Sequence, residues 1–153
     1  MNKKTIKSNY LLKDEEIKQL IRNAIIARKN SYSPYSKYMV GAALLCKNEG
    51  IYLGCNIENA SYGPTICAER VAIFKAVSDG VKEFKAIAIV GSPSGDLVSQ
   101  YAFPCGVCRQ VMAEFCDVNN FIIIVAKSVD DYEIHTLEEL LPKSFGPQNI
   151  EEI

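Results

Sequence analysis

Two short cysteine motifs constrain this chain more than any other feature. Cys67-Ala-Glu69 and Pro104-Cys105-Gly-Val-Cys108 each open a stretch with helical patterning. Residues 68–104 leave room between them for a helix, a strand and a loop. A right-handed helix–strand–helix connection brings two such helix starts to one end of a sheet, where the sites of open α/β sheets form. The chain has six cysteines and one histidine, His135. A metal site must therefore be thiolate-rich, and a Ser-His-Asp mechanism would depend on a single ring. The lysines near the N-terminus are not followed by an apolar segment, so no secretory signal is expected. In the cytoplasmic, reducing setting this implies, grouped thiols favour metal binding or catalysis over disulfides. Cys46, Cys55 and Cys116 lie inside apolar stretches and read as small core residues.

The rest of the chain supplies the matching elements. Asp14 is placed to cap a helix with the apolar stripe Ile17, Leu20, Ile21, Ala24 and Ile25, running to about Asn30. Two apolar runs, Tyr38–Cys46 and Ile51–Ile57, joined by a short polar turn, predict a β-hairpin. A helix follows from about Ile66 to Ser78, stopped by Gly80. Ala86–Val90 and Phe121–Ala126 are apolar without alternation, as in strands covered on both faces. Between them Pro104 suits the first turn of a helix reaching Phe115. A last strand, Tyr132–His135, precedes the capping box Thr136-x-x-Glu139 and a short helix ending at Pro142.

This order predicts an α/β protein in three layers, α/β/α, around a five-stranded mixed sheet. Its last two strands are joined by too few residues for a parallel crossover and must be antiparallel. With 153 residues, 48% hydrophobic and 23% charged, the composition is that of one globular domain. The expected boundaries are a flexible extension over 1–12 and a single domain over 13–153. A net charge of −1 lacks the basic excess of a nucleic-acid-binding surface, and no apolar run approaches the ~20 residues that span a bilayer. No nucleic-acid or membrane partner is expected.

Helix N-termini carry partial positive charge, which lowers a thiol's pKa. Three thiolates from Cys67, Cys105 and Cys108 with a fourth position open describe a catalytic zinc rather than a closed structural one. The open position takes water, whose pKa the metal lowers. Glu69, two residues past one ligand, is placed to take and return that water's proton. Two structural readings compete. One is a four-cysteine zinc using Cys116 or Cys55, neither of which lies in a second cysteine pair. The other is a redox C-x-x-C, whose surroundings here are unlike the thioredoxin pattern.

Zinc-dependent deaminases share a His- or Cys-x-Glu motif followed by Pro-Cys-x-x-Cys. Gly54-Cys-Asn-Ile-Glu-Asn-Ala60, Thr65-Ile-Cys-Ala-Glu-Arg70 and Pro104-Cys-Gly-Val-Cys-Arg-Gln110 resemble the small cytidine deaminases. So do Pro34-Tyr-Ser-Lys-Tyr38, Val40-Gly-Ala-Ala-Leu44 and Leu140-Leu-Pro-Lys-Ser-Phe-Gly-Pro147, and the resemblance covers about residues 14–150. It implies a cytidine-deaminase-like fold and hydrolytic deamination of cytidine and 2′-deoxycytidine to uridine and 2′-deoxyuridine, with ammonia released, as in pyrimidine salvage. It implies one zinc per chain on Cys67, Cys105 and Cys108. Glu69 then serves as the proton shuttle to ring N3 and the departing amino group. Asn56 and Glu58 match the residues that hold the ribose hydroxyls, and Ala68 contributes its backbone to the base. Tyr38 lines the pocket where the family usually has Phe. The family is typically a homotetramer with shared sites, and Tyr62 and Phe145 match positions that reach into a neighbouring chain's site.

Arg70 has a physical role of its own. Three thiolates leave the Zn²⁺ site with a net charge of about −1, and a guanidinium beside the sulfurs draws charge back and restores Lewis acidity. The chain departs from the family pattern at Val107, in a longer 92–103 loop and in residues 1–12. The rival within the fold is a deaminase of another cytosine-containing small molecule, such as a nucleoside antibiotic. Nucleic-acid deaminases would want a basic channel, nucleotide deaminases basic residues for the phosphate. A non-catalytic zinc module is the rival from another class.

Overall fold

The computed structural model describes residues 8–150. The first helix, α1 (Asp14–Arg28), starts one residue earlier than a cap at Asp14 would require. Lys13 is the N-cap, and the Glu16 carboxylate accepts its backbone N–H at 2.7 Å. Strands β1 (Tyr38–Cys46) and β2 (Ile51–Cys55) form the expected hairpin. Helix α2 (Ala68–Ser78) starts later than Ile66, because Ile66 still pairs with Ile57 in an antiparallel bridge. Strand β3 (Phe84–Pro93) exceeds the apolar run that predicted it, since β1 pairs along its whole length, from Cys46↔Phe84 to Tyr38↔Pro93. Then come α3 (Gly106–Phe115), β4 (Ile122–Ala126), β5 (Tyr132–Thr136) and the short α4 (Leu137–Leu140). Pro104 precedes α3 rather than entering it, because Cys105 takes the N-cap.

The sheet order is β2-β1-β3-β4-β5. Only β3 and β4 run parallel among these neighbours; β4 and β5 are antiparallel, as the short turn between them requires. Side chains alternate between two cores. Ala43, Leu45, Ala86, Ala88, Val90, Ile122 and Ile124 pack under Leu20, Ile21 and Ala24 of α1. Ala42, Leu44, Ile87, Ile89, Ile123 and Val125 pack under Ala72 and Ile73 of α2 and Met112 of α3. Burial on both faces explains the unbroken apolar runs.

Of the expected extension, residues 1–7 lie outside the described residues. Ser8 Oγ donates to the Asn120 carbonyl at 2.7 Å, and Tyr10 and Leu12 pack against the α1-side core. Among the described residues no helix is long and apolar enough to cross a membrane.

Candidate active site

Cys67 and Cys105 are the N-caps of α2 and α3, in extended backbone, and Cys108 sits one turn into α3. The two helices lie side by side on one face of the sheet, and both start at the end where β3 and β4 finish. Gly54 lets α2 sit this low. A Cβ there would lie 2.6 Å from the Ala72 nitrogen and closer still to the Ala68 carbonyl oxygen, so only a glycine allows β2 and α2 to approach backbone to backbone.

The three sulfurs therefore converge. Cys67 Sγ lies 3.9 Å from Cys105 Sγ, and Cys105 Sγ lies 3.6 Å from Cys108 Sγ. All three fall within 4.8 Å of one another, in the only group of three possible metal ligands among the described residues. Thiolates ~2.3 Å from a tetrahedral zinc are separated by ~3.8 Å, so the spacing fits that ion. Burial is graded, with Cys108 buried, Cys67 half-buried and Cys105 exposed, which leaves one side of the cluster open to a ligand.

The electrostatics ask for a cation. A hydrogen bond from Cys108, aided by the Arg70 guanidinium, holds Cys67 down at about 5. The Cys67 sulfur and burial push Cys108 far above the ordinary thiol range. One thiolate forms readily and the next resists, because like charges crowd a half-buried pocket. A dication is the group that lets all three ionise together. Arg70 Nη2 donates to Cys67 Sγ at 3.4 Å, and its Nε is buried without a partner among the described residues.

Glu69 is 4% exposed in the first turn of α2, and burial pushes its carboxyl up to about 7. Ala68 beside it is fully buried. Cys67, Ala68, Glu69, Arg70, Cys105 and Cys108 thus form one cluster.

The other expected site residues lie outside this cluster. Asn56 Oδ1 accepts from the Val40 N–H at 2.8 Å and the Ser31 hydroxyl at 2.5 Å, while Nδ2 donates to the Tyr38 carbonyl at 2.8 Å. Among the described residues Nδ2 makes that one hydrogen bond, out of two amide hydrogens. Glu58 Oε2 accepts the backbone N–H groups of Tyr35 (2.9 Å) and Ser36 (3.2 Å). The Ser36 hydroxyl and these amides hold its carboxyl below the usual range, so it stays charged near neutrality. The Tyr38 hydroxyl accepts from Gln100 Nε2 at 3.4 Å, which gives the extra oxygen a partner on the long loop. Tyr62 has a φ of 58°, a costly region for an aromatic residue, and packs edge-on against Tyr35 at 5.8 Å. Tyr62 and Phe145 are 71% and 61% exposed, and the Phe145 carbonyl accepts from Gln110 Nε2 at 2.9 Å.

Sequence reasoning passed over Gln110, Arg109 and Arg28. Arg109 donates to the carbonyls of Pro104 and Leu140, both at 2.8 Å, tying the loop before Cys105 to the end of α4. Arg28 binds three carbonyls at the ends of β1 and β3 and a fourth, of Asp96, in the turn after β3. A cation in the last turn of a helix is ordinary, so nothing local in the sequence marks it.

The model of the cytidine and deoxycytidylate deaminase zinc-binding region matches residues 14–125. A cytidine deaminase of Sporosarcina psychrophila is 46% identical over 135 residues, covering 88% of this chain and 95% of its own length. One from Halalkalibacterium halodurans is 47% identical over 131 residues, covering 86% of this chain and 95% of its own length. The crystal structure of cytidine deaminase from Burkholderia pseudomallei superposes with a TM-score of 0.74 at 41% identity, covering 83% of this chain and 97% of that one. With a matched region that contains both cysteine motifs and these relatives along most of its length, the chain belongs to the cytidine and deoxycytidylate deaminase family, defined by its zinc-binding region.

Proposed function

We propose that this protein is a zinc-dependent hydrolase that converts cytidine and 2′-deoxycytidine, with water, to uridine and 2′-deoxyuridine and ammonia. The observation that carries this reading is a buried carboxyl, Glu69, in the helical turn that follows Cys67, one of three convergent thiols that fit zinc. Bound zinc supplies the Lewis acidity that brings a water's pKa towards neutrality. Glu69, poised near 7 by burial, takes one proton from the attacking water and delivers it to ring N3, then carries the second, from the hydroxyl added at C4, to the departing amino group. Arg70 draws charge from Cys67, which offsets the electron density of three thiolates.

The nucleoside lies along the rim beside this centre. The second amide hydrogen of Asn56 and the charged Glu58 make a donor–acceptor pair for the ribose diol. Ala68 offers its backbone to the base and Tyr38 forms a wall. The exposed rings of Tyr62 and Phe145 support a homotetramer in which each chain completes a neighbour's pocket. A cytoplasmic place in pyrimidine salvage suits a site made of free thiols.

The test is an ultraviolet trace of cytidine with the purified protein, with ammonia and zinc measured on the same sample. Uridine and ammonia should appear in equal amounts, from protein holding one zinc per chain. Protein that holds zinc but releases no ammonia from either nucleoside would refute the proposal.

A further inference from the structure

We infer that Arg28, on the far face of the sheet from the thiols, is a positioning residue for the nucleoside-binding rim. The inference rests on the reading of Tyr38 and Asn56 as nucleoside contacts. Arg28 Nε donates to the Met39 carbonyl at 3.1 Å. Its Nη2 donates to the carbonyls of Ser92 (3.3 Å), Pro93 (2.9 Å) and Asp96 (3.2 Å). One half-buried guanidinium therefore joins the first residues of β1, the last of β3 and the turn that begins the long 92–103 loop. Its planar fork satisfies several acceptors at once, which a lysine cannot do.

Met39 lies between the two residues that Asn56 holds. In a strand, the polar groups of alternate residues point to opposite edges. The Tyr38 carbonyl and Val40 N–H face Asn56 at the β2 edge, and the Met39 carbonyl faces β3 and Arg28. The start of β1 is thus fixed from both edges. Opposite it, Ser94 N–H donates to the carbonyl of Lys37, a residue held at a φ of 56°. Tyr38 follows directly, its hydroxyl bonded to Gln100 on the same loop that Arg28 anchors.

Arg28 itself cannot drift. A Cβ on Gly41 would lie 2.5 Å from the Arg28 nitrogen and 2.9 Å from its Cα, so the last turn of α1 is seated directly on β1. Loss of the guanidinium would free the carbonyls of β1, β3 and the loop together. The Tyr38 ring and the Asn56 amide would then lose their shared reference, while Cys67, Glu69, Cys105 and Cys108 on the other face would keep theirs.

Arg28→Gln and Arg28→Lys separate this role from simple support. Wild-type protein is assayed in parallel, and its failure to turn over cytidine would refute the functional reading rather than this one. With active wild type, Arg28→Gln should raise KM for cytidine about tenfold, with kcat per zinc within threefold. Arg28→Lys, keeping one or two of the four bonds, should fall between. Loss of stability alone would lower the folded, zinc-loaded fraction and leave the KM of that fraction unchanged. Should Arg28→Gln fail to fold, the Lys variant carries the test through its own rise in KM. Folded variants with wild-type KM, or failure of both to fold, would overturn the inference.

Discussion

A single methyl group at Gly54 should damage catalysis from a position outside the proposed catalytic and substrate contacts. In Gly54→Ala the new carbon would lie 2.6 Å from the Ala72 backbone nitrogen, 3.1 Å from the Ala72 side chain and closer still to the Ala68 carbonyl oxygen. Ordinary contact begins near 3.4 Å, and two of these neighbours are backbone, so the first turn of α2 must move bodily by about 0.8 Å or more. Overpacking of this kind costs ~2–3 kcal/mol, near the top of its usual range because no side chain can rotate away. For a domain of this size that is ~5–10 °C in Tm.

The displaced turn carries Ala68 and Glu69 and follows Cys67. Misplacement of catalytic groups by ~1 Å can cost ~10²-fold. Gly54→Ala should therefore lose between ten- and a hundredfold in kcat/KM for cytidine in the fraction that remains folded and zinc-loaded. Gly106→Ala is the contrast. It lies between two proposed zinc ligands, yet a Cβ there meets nothing within 4 Å, so zinc content and Tm should stay at wild-type values. Thermal melts, elemental zinc and steady-state kinetics on the two variants decide the matter. A Gly54→Ala protein with wild-type Tm and kcat/KM would show that β2 and α2 are not in backbone contact and would remove the packing argument for the site.

Three further outcomes follow from the same geometry. Cys105→Ala should lose zinc and activity together, whereas Cys46→Ala, buried in the core, should keep zinc; the reverse pattern by elemental analysis would overturn the ligand assignment. Glu69→Ala should retain zinc and fold but lose at least ~10²–10⁴-fold in kcat, and a variant within threefold of wild type would remove Glu69 from the mechanism. Phe145→Ala should raise KM with zinc intact, and hybrids assembled from dissociated Glu69→Ala and Phe145→Ala chains should regain part of the wild-type kcat/KM. No recovery in verified hybrids would mean that each chain builds its site alone.

What the sequence showed, and what it hid, divides along the reach of the interactions. The capping box at Thr136 and Glu139 was readable because both hydrogen bonds close within three residues. The antiparallel β4–β5 pair was readable because a short turn admits no other direction. By contrast, the ends of β3 were set by its partner β1, and the start of α2 by a bridge from Ile66 back to Ile57. Those boundaries depend on residues far along the chain, so a local pattern could not place them.

The same division runs through the site. A metal centre demands particular atoms, so the cysteines at two helix starts identify themselves wherever the fold puts them. A backbone carbonyl accepts from any donor that reaches it, so Arg28 carries no signature until Met39, Ser92, Pro93 and Asp96 are seen around it. Asn56 stands between these cases. Its amide was expected at the ribose, yet it also ties the Tyr38 carbonyl and the Val40 N–H, sixteen to eighteen residues away. Substituting it would loosen the start of β1 as well as remove a proposed ligand contact. Loss of substrate affinity in an Asn56 variant would therefore not separate binding from positioning, whereas Arg28, on the helix that covers the opposite face of the sheet from the thiols, isolates the positioning part.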